Sequence, residues 1–232
     1  YSEPKAKSAA PAAAPKAAAA APAAAAAAPA KAPASSEPPL PVALLFPGQG
    51  SQYVKMLDGT KNLPEVKDML TKAQSILGYD LLKLCLEGPE DKLEQTQYCQ
   101  PAMFVGGLAG VAKLRAEQEA KVARCKCVAG LSLGEYTALC AAGVLTFEDG
   151  LKLVKLRGEA MQEAASVGKQ GMVSIVGLER AVLDGLCDKA AASEGAGAVC
   201  KVANALFPKG FSCAGTQKAI MNLKDLAEKG GA

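Results

Sequence analysis

The sequence predicts an α/β fold, on three observations. Pro41 to Phe46 (PVALLF) is a short apolar run that breaks into Pro47-Gly48-Gln49-Gly50-Ser51-Gln52, as a buried strand entering a glycine-rich loop does. Cys125 to Ala129 is a second strand-like run, and it enters Gly130-Leu131-Ser132-Leu133-Gly134 and then the apolar stretch TALCAAGVL. The last third alternates strand and helix patterns. The chain has 232 residues, 50% hydrophobic and 21% charged, which is enough apolar side chain to bury a core. That length suits one domain plus a tail, or one and a half domains.

Taken in order, residues 1–40 are a different material. Alanine and proline dominate, with Lys5, Lys7, Lys16 and Lys31 spaced among them. The recurring prolines forbid a long helix, and there are no large apolar side chains to form a membrane span. The segment reads as a semi-rigid linker or tail, with a docking arm on a large assembly as the alternative. The chain begins with Tyr1 rather than Met, as a cleaved targeting peptide or a longer polyprotein would explain.

After the first strand, residues 64–86 carry helical spacing at Val66, Met69, Leu70, Ala73 and Ile76, broken at Gly78. Residues 102–120 predict a helix, apolar first and charged last, in which Gly106, Gly107 and Gly110 permit close packing. Residues 171–178 predict a strand and 179–192 a helix with Val182, Leu183, Leu186 and Ala190 on one side. Residues 199–206 and 210–214 predict two more strands, and 217–229 a final helix. That order is βαββα, a ferredoxin-like unit without its last strand.

Composition narrows the function. The net charge is +3, and the first forty residues hold +2 of it, so the body is nearly neutral. A general nucleic-acid binder would be more basic and richer in aromatics. There is no histidine, which excludes Ser–His or Cys–His catalysis by these residues alone and any imidazole metal ligand. The eight cysteines sit mostly singly in apolar runs and include no CxxC, which predicts packed core thiols in a reducing compartment and no metal site. Cys125 and Cys127, the one close pair, read as packed strand residues rather than a redox or metal pair.

The GxSxG around Ser132 carries the chemistry. Small residues two before and two after the serine allow a tight, strained strand-to-helix turn, the nucleophile elbow. Such a turn lifts the hydroxyl to a helix N-terminus, where free N–H groups stabilise an oxyanion. Phe46-Pro47-Gly48-Gln49-Gly50-Ser51-Gln52, Gln100-Pro101-Ala102, GLSLGEYTAL (130–139) and LVKLRGEAMQ (153–162) follow in that order. Together they resemble the malonyl-CoA:acyl-carrier-protein transacylases of type II fatty-acid synthesis, from about Val42 to Ala232. Leu131 stands where bacterial members usually have histidine, and GLSLGEY resembles the plastid branch, which implies a plastid stroma.

The resemblance implies the rest. The fold would be an α/β-hydrolase-like large subdomain, its amino-terminal part over 41–170, with the ferredoxin-like small subdomain inserted at 171–232. Ser132 would be the nucleophile that takes the malonyl group, and the backbone N–H groups of Gln49 and Leu133 the oxyanion hole. Arg157 would clamp the malonyl carboxylate, although flanking Lys152 and Lys155 leave a surface-helix reading open. Gln100 and Met161 would line the acyl pocket, and Asn204 would be the asparagine of a loop near the site. A second asparagine of that loop falls on Leu206. Malonyl-CoA and acyl carrier protein would be the substrates, with no metal or prosthetic group.

In the family, a closing strand and then a catalytic histidine follow the point where this sequence stops at Ala232. Two readings result. One is the amino-terminal portion of a transacylase, inactive as a histidine-free segment, because an unactivated serine is a poor nucleophile and losing such a histidine costs about 10⁶ in turnover in another serine enzyme. The other is a non-catalytic homologue, a structural or linker subunit with a partner chain covering its open sheet edge. A split enzyme whose partner supplies the histidine is a third.

Overall fold

A computed structural model describes residues 39–232, and the alanine- and proline-rich tail predicted for residues 1–40 lies almost wholly outside them. Within the unit Leu40–Ala232, apolar periodicity produces two separate cores, a helical one and one packed against a three-stranded sheet.

The first sheet is two parallel strands, β1 (Val42–Phe46) and β2 (Cys125–Gly130), in register from Ala43 opposite Cys127 to Phe46 opposite Gly130. The register slips between Val42 and Ala43, and Cys127 is exposed, so the prediction of two packed strand thiols is corrected. Five of the other cysteines are buried, as predicted. Between these strands run α1 (Pro64–Leu77), α2 (Leu81–Glu87), α3 (Glu90–Glu94) and α4 (Thr96–Ala123). Gly78 ends α1 in the left-handed region at φ 83°, which is why 64–86 is two helices rather than one. Asp80 caps α2 by accepting the Lys83 N–H at 2.8 Å. The α4 helix begins six residues before the predicted 102 and runs through Pro101, because Cys99, Gln100 and Pro101 are themselves buried.

After β2 come α5 (Leu133–Ala141) and α6 (Phe147–Ser166). Thr146 caps α6, accepting the Asp149 N–H at 3.1 Å. Along α6, Gly150 and Gly158 let α4 approach: a Cβ on Gly150 would lie 2.7 Å from the Phe104 ring, and one on Gly158 3.1 Å from the Thr96 carbonyl. Leu151 and Val154 complete the buried face and close the first core around Phe104, Val105 and Leu133.

The remaining elements are β3 (Gln170–Val176), α7 (Arg180–Glu194), β4 (Cys200–Phe207), β5 (Gly210–Thr216) and α8 (Gln217–Lys229), the predicted βαββα. The sheet is antiparallel in the order β3-β5-β4, with Cys187, Leu183 and Leu223 from the helices packed beneath Cys213 and Ile175. Val182, predicted on the buried side of α7, is exposed, because Leu183, Cys187 and Ala190 set the inner stripe and Val182 lies one residue off it.

Candidate active site

Ser132 joins β2 to α5 at φ 53° and ψ −105°, a conformation costly for any residue with a Cβ. The neighbouring glycines make the turn sterically feasible. A Cβ on Gly130 would lie 2.0 Å from the Gly134 carbonyl, and one on Gly134 2.1 Å from the Phe46 carbonyl. The turn is fastened by Leu131 N–H donating to the Phe46 carbonyl at 3.1 Å and Gly134 N–H to the Leu131 carbonyl at 2.8 Å. The Ser132 side chain makes no helix cap, so its hydroxyl is left for other partners.

Its partner is Arg157. One guanidinium nitrogen donates to Ser132 Oγ at 2.8 Å, and the other donates to Gln100 Oε1 at 2.6 Å. Gln100 is 1% exposed, and its amide nitrogen lies 3.3 Å from Met161 Sδ. The Arg157 guanidinium carbon lies 5.6 Å from the centre of the Tyr136 ring. Three helices thus converge on one cation, which settles the sequence alternative in favour of an inward-facing Arg157. No carboxylate lies within 4.0 Å of Arg157 among the described residues. A partly buried guanidinium without a protein counter-charge is a ready-made anion receptor.

The loop after β1 lies over the elbow: a Cβ on Gly48 would lie 2.9 Å from the Leu131 carbonyl. The Gln49 side chain is anchored away from Ser132, donating to Thr96 Oγ1 at 3.3 Å and the Glu94 carbonyl at 3.5 Å. Gln52 holds the loop from within, its Oε1 accepting Gly50 N–H at 2.8 Å and Cys99 Sγ at 3.1 Å. Among the described residues, the backbone N–H groups of Gln49 and Leu133 donate to no acceptor.

Ser132, Arg157, Gln100 and Met161 are therefore brought together. Met161 is 44% exposed at the margin of the group. Asn204 lies exposed on β4 and makes no hydrogen bond to the group among the described residues, so the structure does not join it to the site. A cavity of about 190 Å³ between Pro47, Tyr53 and Met103 includes none of the four. Sequence reasoning missed Tyr136, Gln52 and Thr96. Tyr136 carried a signal, since it follows Ser132 by four residues, one helical turn.

The chain is similar to known proteins over most of its length. The acyl transferase domain family matches residues 43–196. The human mitochondrial malonyl-CoA-acyl carrier protein transacylase is 43% identical over 190 residues, covering 80% of this chain and 49% of that protein. The malonyl CoA-acyl carrier protein transacylase of Salmonella typhimurium is 38% identical over 191 residues, 82% of this chain and 57% of that protein. The crystal structure of an acyl-carrier-protein S-malonyltransferase from Burkholderia pseudomallei superposes with a TM-score of 0.71 at 41% identity, covering 82% of this chain and 59% of that one. The chain spans about half the length of the curated relatives it matches. The expectation of a plastid stroma is overturned: the human, mouse and fruit-fly relatives are mitochondrial by name, and others are bacterial.

Proposed function

The chain belongs to the acyl transferase domain family, and from that premise we propose that its site loads a malonyl group from malonyl-CoA onto Ser132 for transfer to the phosphopantetheine thiol of an acyl carrier protein. The observation that carries this reading is the pairing of a strained serine with an arginine that has no carboxylate partner. A neutral acyl group would leave that guanidinium unmatched, whereas a short diacid supplies the missing anion. The names of the human and Salmonella relatives support the same substrates.

The mechanism follows from the geometry. Ser132 Oγ attacks the thioester carbonyl, and the developing oxyanion sits on the free N–H groups of Gln49 and Leu133. Arg157 holds the distal carboxylate, released from Ser132 Oγ as the ester forms. The CoA thiol leaves, and the carrier-protein thiol attacks the serine ester in a second half-reaction, which is ping-pong transfer. These 232 residues contain no histidine, so the base that takes the Ser132 proton is no imidazole of this segment. We therefore read the 232-residue chain alone as slow or inactive. No metal or prosthetic group has a role in these steps. The fold belongs to the same reading: an α/β-hydrolase-like large subdomain, residues 41–170, and a ferredoxin-like small subdomain, residues 171–232. The elbow supports the first and the β3-β5-β4 sheet under α7 and α8 supports the second.

A second reading, a non-catalytic homologue in a larger assembly, is favoured by the open state of the first sheet. Leu45 on β1 is 75% exposed, and parallel strands are ordinarily covered on both faces. Chemical rescue separates the two. The chain is mixed with malonyl-CoA, with and without free imidazole, and intact mass is followed. Malonyl ester on Ser132 that rises with imidazole and disappears in Ser132→Ala supports the catalytic reading. No ester at any imidazole concentration favours the second.

A further inference from the structure

Arg157 is the charged side chain that the described residues place at the proposed carboxylate end of the site, and its geometry must survive both the empty and the acylated states. Gln100 occupies one edge of the guanidinium and Ser132 the other. The face is covered by Tyr136, 5.6 Å from guanidinium carbon to ring centre. Tyr136 is half-buried and packed against the first core, on α5 one turn beyond Ser132. The helix that presents the nucleophile therefore also carries the platform for the anion receptor. When acyl transfer makes Arg157 let go of Ser132 Oγ, two of its three contacts remain, and only the ring contact is independent of in-plane hydrogen bonding.

We propose that Tyr136 is a positioning residue that sets the preference of this site for an anionic over a neutral acyl group, by holding the Arg157 guanidinium against its ring face. The inference rests on the malonyl reading above. A ring face attracts a guanidinium through its quadrupole, and the attraction grows as water is excluded. Fixing the plane of the fork before substrate arrives leaves less ordering to be done when a carboxylate binds. Acetyl-CoA is indifferent to this: an acetyl group brings no carboxylate, so its binding does not depend on where the guanidinium points.

The test is calorimetric binding of malonyl-CoA and acetyl-CoA to the 232-residue chain and its variants. The unsubstituted chain should prefer malonyl-CoA by about tenfold or more, as a charge-assisted pair implies. Tyr136→Phe, which keeps the ring, should hold that preference within about twofold, while Tyr136→Leu should reduce it roughly three- to thirtyfold with acetyl-CoA affinity unchanged. Pentafluorophenylalanine in place of Tyr136 keeps the shape and reverses the ring quadrupole, so it should behave as Leu does and stays informative if the Leu variant does not fold. A preference unchanged in the pentafluoro variant, or malonyl- and acetyl-CoA affinities falling together, overturns the role of Tyr136. Equal affinity of the unsubstituted chain for the two thioesters overturns the malonyl reading itself, a different result read from a different sample.

Discussion

Ser132 stores backbone strain that the fold around it must sustain. At φ 53° and ψ −105° a residue with a Cβ costs about 1–3 kcal/mol, and Gly130 and Gly134 are fixed by carbonyls about 2 Å from where their own Cβ atoms would be. Ser132→Ala removes the hydroxyl but keeps the Cβ, so it keeps the strain. Ser132→Gly removes both, at the expense of some unfolded-state entropy. The Gly variant should therefore unfold about 1 kcal/mol later than the Ala variant in urea, though neither can form an acyl ester. Equal midpoints would show that the strain is no larger than the entropy difference between glycine and alanine, and an earlier midpoint for the Gly variant that it is smaller still. The GxSxG spacing made this turn legible, because steric need leaves little choice of residue two before and two after the serine. Arg157 was legible only through its family setting. Its neighbours Lys152 and Lys155 gave no clue to its direction, which depends on Gln100, a residue 57 positions away.

At the scale of elements, the site depends on how closely α6 lies against α4. Gly150 and Gly158 are two turns apart on one face, and both meet α4 atoms where a Cβ would be. Gly158 adjoins Arg157, and Gln162 one turn on accepts the Thr96 N–H at 3.0 Å, so this contact sets the position of the guanidinium. Gly158→Leu should push the helices apart, lower stability by about 1–3 kcal/mol and weaken malonyl-CoA binding with it. Gly185 on α7 is the control: nothing lies within 4 Å of its added Cβ, so Gly185→Ala should stabilise by roughly 0.5–1 kcal/mol through helix propensity alone. Two glycines in two helices should thus give opposite signs in one urea series, and stabilisation at both would show that propensity, not packing, governs both. The helix starts show where sequence reasoning falls short. The apolar run from 102 marks the part of α4 that looks helical locally. The turn before it, with Pro101 inside, is helical because its side chains are buried by tertiary packing, which no local pattern reports.

Over the whole molecule, the βαββα order was legible element by element, since each strand and helix is short, periodic and bounded by turn residues. The division into two cores was less so, because it depends on which faces meet. Both cores share one vulnerability. Cys85 and Cys99 lie fully buried in the first, and Cys200 and Cys213 in the second. Burial pushes all four thiols from the ordinary value of 9.0 up to about 12, and burial likewise raises the Tyr79 phenol. The sign of the effect is fixed by which state holds the protons. Below pH 9 the thiols are protonated in both states and the stability is complete. Between pH 9 and 12 the unfolded chain gives up protons that the folded chain retains, so unfolding is favoured increasingly as pH rises. Urea midpoints measured under reducing conditions should hold steady from pH 7 to 8.5 and fall from there to pH 10.5. Lysine and tyrosine titration also act in that range, so the decisive comparison is a variant with Cys85→Ala and Cys213→Ala, one thiol removed from each core. That variant starts from a lower midpoint, because two packed side chains are truncated, but its midpoint should fall less steeply above pH 9. Parallel slopes would assign the alkaline loss to surface charge instead, and would mean that the buried thiols contribute packing alone.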